Sequence, residues 1–257
     1  MHTTSLTPHL KRLMAVSVIG SGLLFASTPG HTQSIYTDGH GDIGVEYTPG
    51  ETEFEPHWHI GAGAVVNGEV VEEEEEFAPG DMEARLFGTA NVNSPVAEAL
   101  GVSTGDTAYR TGITAYPPNL GFALEEVGPP EEWLGESITL TLTGFSGPGE
   151  MAISQTVSGI GTFIWFSSLS DSYTVADNSW QFAVGGHQHL DWWFSEAGVY
   201  EVTFDWNGTY IGGETPIAVT GSGTFGFQVG VVPEPGTWGL TAVGLLLLLT
   251  FRRRSLA

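Results

Sequence analysis

Long stretches of this chain alternate between apolar and polar positions with a period of two. Ile138-Thr139-Leu140-Thr141-Leu142-Thr143-Gly144 does so throughout, as do Tyr200-Glu201-Val202-Thr203-Phe204-Asp205-Trp206 and Thr224-Phe225-Gly226-Phe227-Gln228-Val229. Successive side chains of a strand point to opposite faces, so this alternation predicts half-buried antiparallel strands. Turns are predicted at Thr48-Pro49-Gly50, Ala78-Pro79-Gly80, Ser146-Gly147-Pro148-Gly149, Trp206-Asn207-Gly208 and Gly212-Gly213, and Gly221-Ser222-Gly223 also reads as a turn. Between residues 34 and 231 only Pro95 to Leu100 reads as helix. Regular strands separated by Gly- and Pro-rich turns predict an all-β chain, an antiparallel β-sandwich.

Both ends break this pattern. Lys11-Arg12 precedes an apolar run from Leu13 to Ala26, followed by Ser27-Thr28-Pro29-Gly30. A charged start, a short apolar run and then small or polar residues describe a secretory signal peptide, assigned to residues 1–33. The run is shorter than the roughly 20 residues of a spanning helix, which favours a cleaved leader over an uncleaved anchor. At the other end, Val232-Pro233-Glu234-Pro235 leads into an apolar segment from Gly236 to Phe251, closed by Arg252-Arg253-Arg254. This segment predicts a single C-terminal transmembrane anchor helix with its arginines on the cytoplasmic side.

The order Pro-Glu-Pro, apolar helix, arginine cluster over residues 232–257 resembles the PEP-CTERM sorting signal of bacterial surface proteins. The resemblance implies processing near Pro233, Glu234 and Pro235 by an exosortase-type membrane protease. It further implies membrane anchoring before processing, then delivery to the cell surface or an exopolysaccharide matrix.

Between the two ends lies one domain's worth of chain, residues 34–231. Of the 30 acidic residues only Glu234 lies outside it, and of the seven basic residues only Arg85 and Arg110 lie inside it. An acidic surface of this kind excludes nucleic acid as a partner and favours cations. Cysteine is absent, so the exported domain relies on its core rather than on disulfides, and thiolate chemistry and cysteine zinc sites are excluded. The run Glu72 to Glu76 reads first as a solvated loop or strand edge, and second as a weak calcium patch without EF-hand spacing.

All five histidines of the domain sit two residues from another histidine or an acid: His40-Gly41-Asp42, His57-Trp58-His59 and His187-Gln188-His189-Leu190-Asp191. On a strand, residues two apart share a face. His57 and His59 are thus predicted to project together, as are His187, His189 and Asp191, with Leu190, Trp192 and Phe194 on the opposite face. Imidazole and carboxylate suit zinc and related divalent metal ions, so these seven residues form the candidate ligand set. His57, His59, His187 and His189 are expected at its centre, joined by His40 or Asp42.

Gly39-His40-Gly41-Asp42-Ile43-Gly44-Val45-Glu46-Tyr47, Glu55-Pro56-His57-Trp58-His59, and Gly186 to Phe194 followed by Gly198-Val199-Tyr200 resemble, in order, the motifs of the choice-of-anchor M surface domains. The resemblance implies metal binding, since relatives occur beside metal-type ABC transporters. It carries no activity, and Asp191 stands where relatives often have asparagine. The expectation is therefore a non-enzymatic, exported metal-binding protein. The alternative is an adhesion or matrix module that binds extracellular polysaccharide through Trp58, Trp192 and Trp193. A metallohydrolase would need an open metal position and a general base, and neither Glu55 nor Glu196 is singled out for that task.

Overall fold

A computed structural model describes residues 33–113, 115–169 and 178–230. The leader up to residue 32, and the sorting segment with Pro233, Glu234, Pro235 and Arg252 to Arg254, lie outside the described residues. Among the described residues no helix is long and apolar enough to cross a membrane.

The described chain is mostly β. The first half holds β1 (Ser34–Asp38), β2 (His40–Glu46), β3 (Glu55–Ile60), β4 (Val65–Val66), β5 (Glu69–Val70), β6 (Glu75–Phe77), β7 (Met82–Leu86), β8 (Thr89–Asn91), the helix α1 (Ser94–Leu100), β9 (Thr107–Thr111) and β10 (Asn119–Ala123). The second half holds β11 (Ser137–Ser146), β12 (Met151–Val157), β13 (Gly161–Ser167), β14 (Ser179–Ala183), β15 (His187–His189), β16 (Asp191–Phe194), β17 (Gly198–Tyr210) and β18 (Ile217–Val229).

These strands form three sheets rather than the two of a simple sandwich. Eight strands run in the order β14-β11-β17-β18-β7-β1-β4-β5, five in the order β15-β10-β2-β3-β6, and five in the order β13-β12-β16-β9-β8. Most pairings are antiparallel, but β1 with β7, β18 with β7, and β10 with β2 are parallel. A parallel pair joins segments distant in sequence, so local alternation carries no sign of it.

The predicted alternation is observed where it was read. Ile138 and Leu140 on β11, Tyr200, Val202, Phe204 and Trp206 on β17, and Phe225, Phe227 and Val229 on β18 are all buried. Together with Trp58, Phe122, Phe166 and Trp192 they make one aromatic-rich core. Phe122 stands at its centre, with ring centroids 5.2 Å from Phe204 and 5.4 Å from Trp192.

Two predicted turns are strand instead. Trp206-Asn207-Gly208 continues β17, and Gly221-Ser222-Gly223 lies within β18. Their glycines serve close packing: a Cβ at Gly208 would come within 2.8 Å of the Trp133 ring, and one at Gly221 within 2.7 Å of Phe54. A glycine inside a strand often marks such an approach.

The helix begins where the sequence places it. The Asn93 side chain accepts a hydrogen bond from the Val96 amide, and Gly101 closes the other end in the left-handed conformation, at φ 66°. Val96, Ala97, Ala99 and Leu100 bury one face of the helix in a small second core with Ala152, Ile164 and Trp193.

Candidate metal centre

The five-stranded sheet β15-β10-β2-β3-β6 has one apolar and one polar face. Leu120 and Phe122 of β10, Ile43 and Val45 of β2, and Trp58 and Ile60 of β3 enter the core. The alternate residues of the same strands therefore share the other face. Register aligns them in two rows. His189, Gly121, Asp42, His59 and Glu76 lie side by side across the five strands. His187, Ala123, Gly44 and His57 make the next row.

Small residues on the middle strand let the larger ones meet. β15 and β2 flank β10, about 10 Å apart at the usual strand spacing. Over Gly121 and Ala123 their side chains lean inward and touch. His187 Nε2 lies 3.1 Å from His189 Nε2, 3.1 Å from His40 Nε2 and 3.0 Å from Asp42 Oδ2. His40 Nε2 lies 3.1 Å from Asp42 Oδ2. Ligands placed tetrahedrally about 2.0–2.1 Å from zinc are about 3.3 Å apart, close to these four spacings, and all ligand atoms of the His₃Asp group lie within 4.8 Å of one another.

Asp42 is 1% exposed, and among the described residues no hydrogen-bond donor is assigned to either carboxylate oxygen. His40 and His187 approach it at ion-pair distance. A buried carboxylate left so is costly unless a cation meets it. The domain's two arginines are placed elsewhere: Arg85 lies 3.6 Å from Glu83, and Arg110 holds Asp191. The charge of Asp42 therefore falls to protonated histidine or to a metal.

Two of the imidazoles, those of His40 and His189, differ in proton affinity. Contact with Asp42 raises the His40 pKa above its ordinary value, outweighing partial burial. Burial lowers that of His189, with His187 and His40 adding to the effect and Asp42 opposing it. Burial thus disfavours the protonated form of His189. His40, with its side chain 37% exposed, is the ring that retains a proton longest of the two. A pocket lined by Asp38, Gly39, His40, Pro117 and Asn119 opens beside it.

His57 and His59 do not join this set. They face Glu76 and Glu126, and the ligand atoms of these four residues lie within 4.8 Å of one another. The expected single centre is thus two groups on one sheet face. Glu76 belongs to the glutamate run and is placed by register with His59. Glu126 follows β10, and nothing in its sequence context marks it.

Asp191 is in a different place. His187 to Asp191 is not one strand: β15 ends at His189, and β16 starts at Asp191 in another sheet. The reason is burial, because all four residues of β16 are enclosed between β12 and β9. There Asp191 Oδ1 accepts hydrogen bonds from Arg110 Nε at 3.1 Å and Nη2 at 2.7 Å. Burial raises the pKa of Asp191 against the pull of that guanidinium.

The tryptophans offered for carbohydrate stacking are core residues. Trp58 and Trp192 are fully buried, Trp193 is 5% exposed, and none presents a face to a ligand. Glu55 lies opposite Glu46 at the far end of β3, and Glu196 packs beside Gly149, so neither enters the His₃Asp group. No protein-family model, curated protein or solved structure matches the chain.

Proposed function

We propose that this chain is an exported surface protein whose domain binds a divalent first-row metal, zinc or a close relative, through His40, Asp42, His187 and His189. The observation that carries the metal reading is the approach of His187 Nε2 to His40 Nε2, His189 Nε2 and the buried Asp42 carboxylate at 3.0–3.1 Å, with His40 Nε2 also 3.1 Å from Asp42. A single dication can meet all four groups at once. The donor set, rich in nitrogen with a single carboxylate, suits zinc or copper better than calcium or magnesium.

Export and anchoring rest on the sequence at the two ends, residues 1–33 and 232–257. Their order supports delivery to the surface through an exosortase-type protease. The histidine motifs resemble those of the choice-of-anchor M domains, which supports placing metal binding outside the cell. We read the role as uptake or holding of metal rather than catalysis.

Zinc titrated calorimetrically into the full chain should bind at pH 7.5 and weaken by about 10–100-fold at pH 5.5, because protons compete for the same nitrogens. His40, whose protonated form is favoured, takes up a proton before His189 as the pH falls. Absence of uptake at pH 7.5, or an affinity indifferent to pH, would contradict the proposal.

A further inference from the structure

We propose that the same sheet face carries a second divalent-cation site, built by His57, His59, Glu76 and Glu126, so that the domain takes up metal in pairs. This extends the metal-binding reading above but stands on separate side chains.

His57 is 6% exposed. Its Nδ1 lies 3.1 Å from the Glu55 carbonyl oxygen, which places the ring proton on that nitrogen. In the neutral ring Nε2 carries the lone pair, and it is buried without a hydrogen-bond partner among the described residues. It faces Glu126 Oε2 at 2.9 Å. A lone pair against a carboxylate is repulsive, and a cation between them reverses the sign. The other oxygen of Glu126 lies 3.4 Å from His59 Nδ1, so one carboxylate spans both rings. A metal-bound histidine commonly donates its remaining N–H to a carbonyl, as His57 does here.

The charge balance points the same way. Glu74 Oε2 lies 3.8 Å from His59 Nε2, bringing a third carboxylate to two imidazoles. Even with both rings protonated the group stays negative. Two imidazoles with two carboxylates suit zinc, manganese or ferrous iron. The backbone is shaped for it: a Cβ at Gly44 would stand 3.0 Å from His57 Nε2, so bare backbone lets the ring lie over β2.

Register ties the two sites together. Asp42 of the first is the cross-strand neighbour of His59 of the second. At ordinary strand spacing the two cations would sit about 5–10 Å apart. The segment after β10 serves both, with Glu126 in the second site and Glu125 Oε2 3.7 Å from His187 Nδ1 in the first.

The test is zinc content of the full chain after loading and dialysis, beside His57→Gln/Glu126→Gln and His187→Ala/His189→Ala variants. Two zinc ions are expected in the wild type and one in each variant, and the retained ion also reports that the variant is folded. One zinc in the wild type, kept in the first variant and lost in the second, would overturn the second site and leave His57–Glu126 an ion pair. No zinc in the wild type would overturn the first reading as well. Should the first variant lose its strand signal in circular dichroism, Glu126→Gln alone decides: one zinc supports the site, and two refute it.

Discussion

Replacing Gly121 with alanine is expected to destabilise the metal-free protein by about 2–3 kcal/mol and to remove most of its affinity for zinc. Gly121 lies on the middle strand beneath the His₃Asp group, in register with His189 on one side and Asp42 on the other. An added Cβ would stand 2.4 Å from Asp42 Oδ1 and 2.5 Å from the Gln188 carbonyl oxygen. The carbonyl is backbone on the neighbouring strand and cannot turn away. The carboxylate is buried beside His40 and His187. Relief must part β10 from β15 or swing Asp42 out, and either movement separates the ligands. Gly80→Ala is the control, since nothing lies within 4 Å of the added atom, and a change within about 0.5 kcal/mol is expected. Denaturant unfolding and zinc titration of both variants measure the contrast. Equal, small effects would show that the bare backbone at position 121 is not needed.

Asp42→Asn should separate stability from metal binding. Near pH 8 the metal-free variant is expected to match the wild type or exceed it by about 1 kcal/mol, because a buried carboxylate without hydrogen-bond donors is removed. Its zinc affinity should fall at least about 100-fold, about 2.7 kcal/mol, since the anionic ligand is lost. At lower pH the order changes. His40 has a raised folded-state pKa. The stability it draws from Asp42 is fully present below its unfolded pKa and fades as pH rises through the folded value. The variant should therefore be less stable than the wild type near pH 5.5 and not near pH 8. A variant destabilised equally at both pH values would make Asp42 a structural residue rather than a ligand.

How much of this was legible in the sequence depends on how local each feature is. The strand character of β11, β17 and β18 was legible because one face of each meets the core and the other does not. The pairing of His57 with His59, and of His187 with His189, followed from the two-residue period of a strand. His40 or Asp42 was expected to join both pairs, but the separation of these residues into two groups did not follow. The groups are set by the parallel pairing of β10 with β2, between segments some eighty residues apart, and the histidine spacing carries no trace of it. Asp191 was misplaced because the period was extended across Leu190, where the chain leaves one sheet for another. The glycines at 208 and 221 were misread as turns because sequence does not distinguish a turn glycine from one that admits a neighbouring ring. Gly121 and Gly44, which let the ligand side chains lie flat across the sheet, carry no signal until the register is known.

The central claim is that His40, Asp42, His187 and His189 hold one metal ion. It is tested most directly by X-ray absorption at the zinc edge, on the full chain carrying His57→Gln/Glu126→Gln and loaded with one equivalent of zinc. Four light ligands at about 2.0 Å with imidazole scattering from three rings are expected, and loss of the bound zinc when His187 and His189 are also replaced by alanine. Zinc that is not retained while these four residues are intact, or that is surrounded by oxygen alone and unchanged by the histidine substitutions, would contradict it.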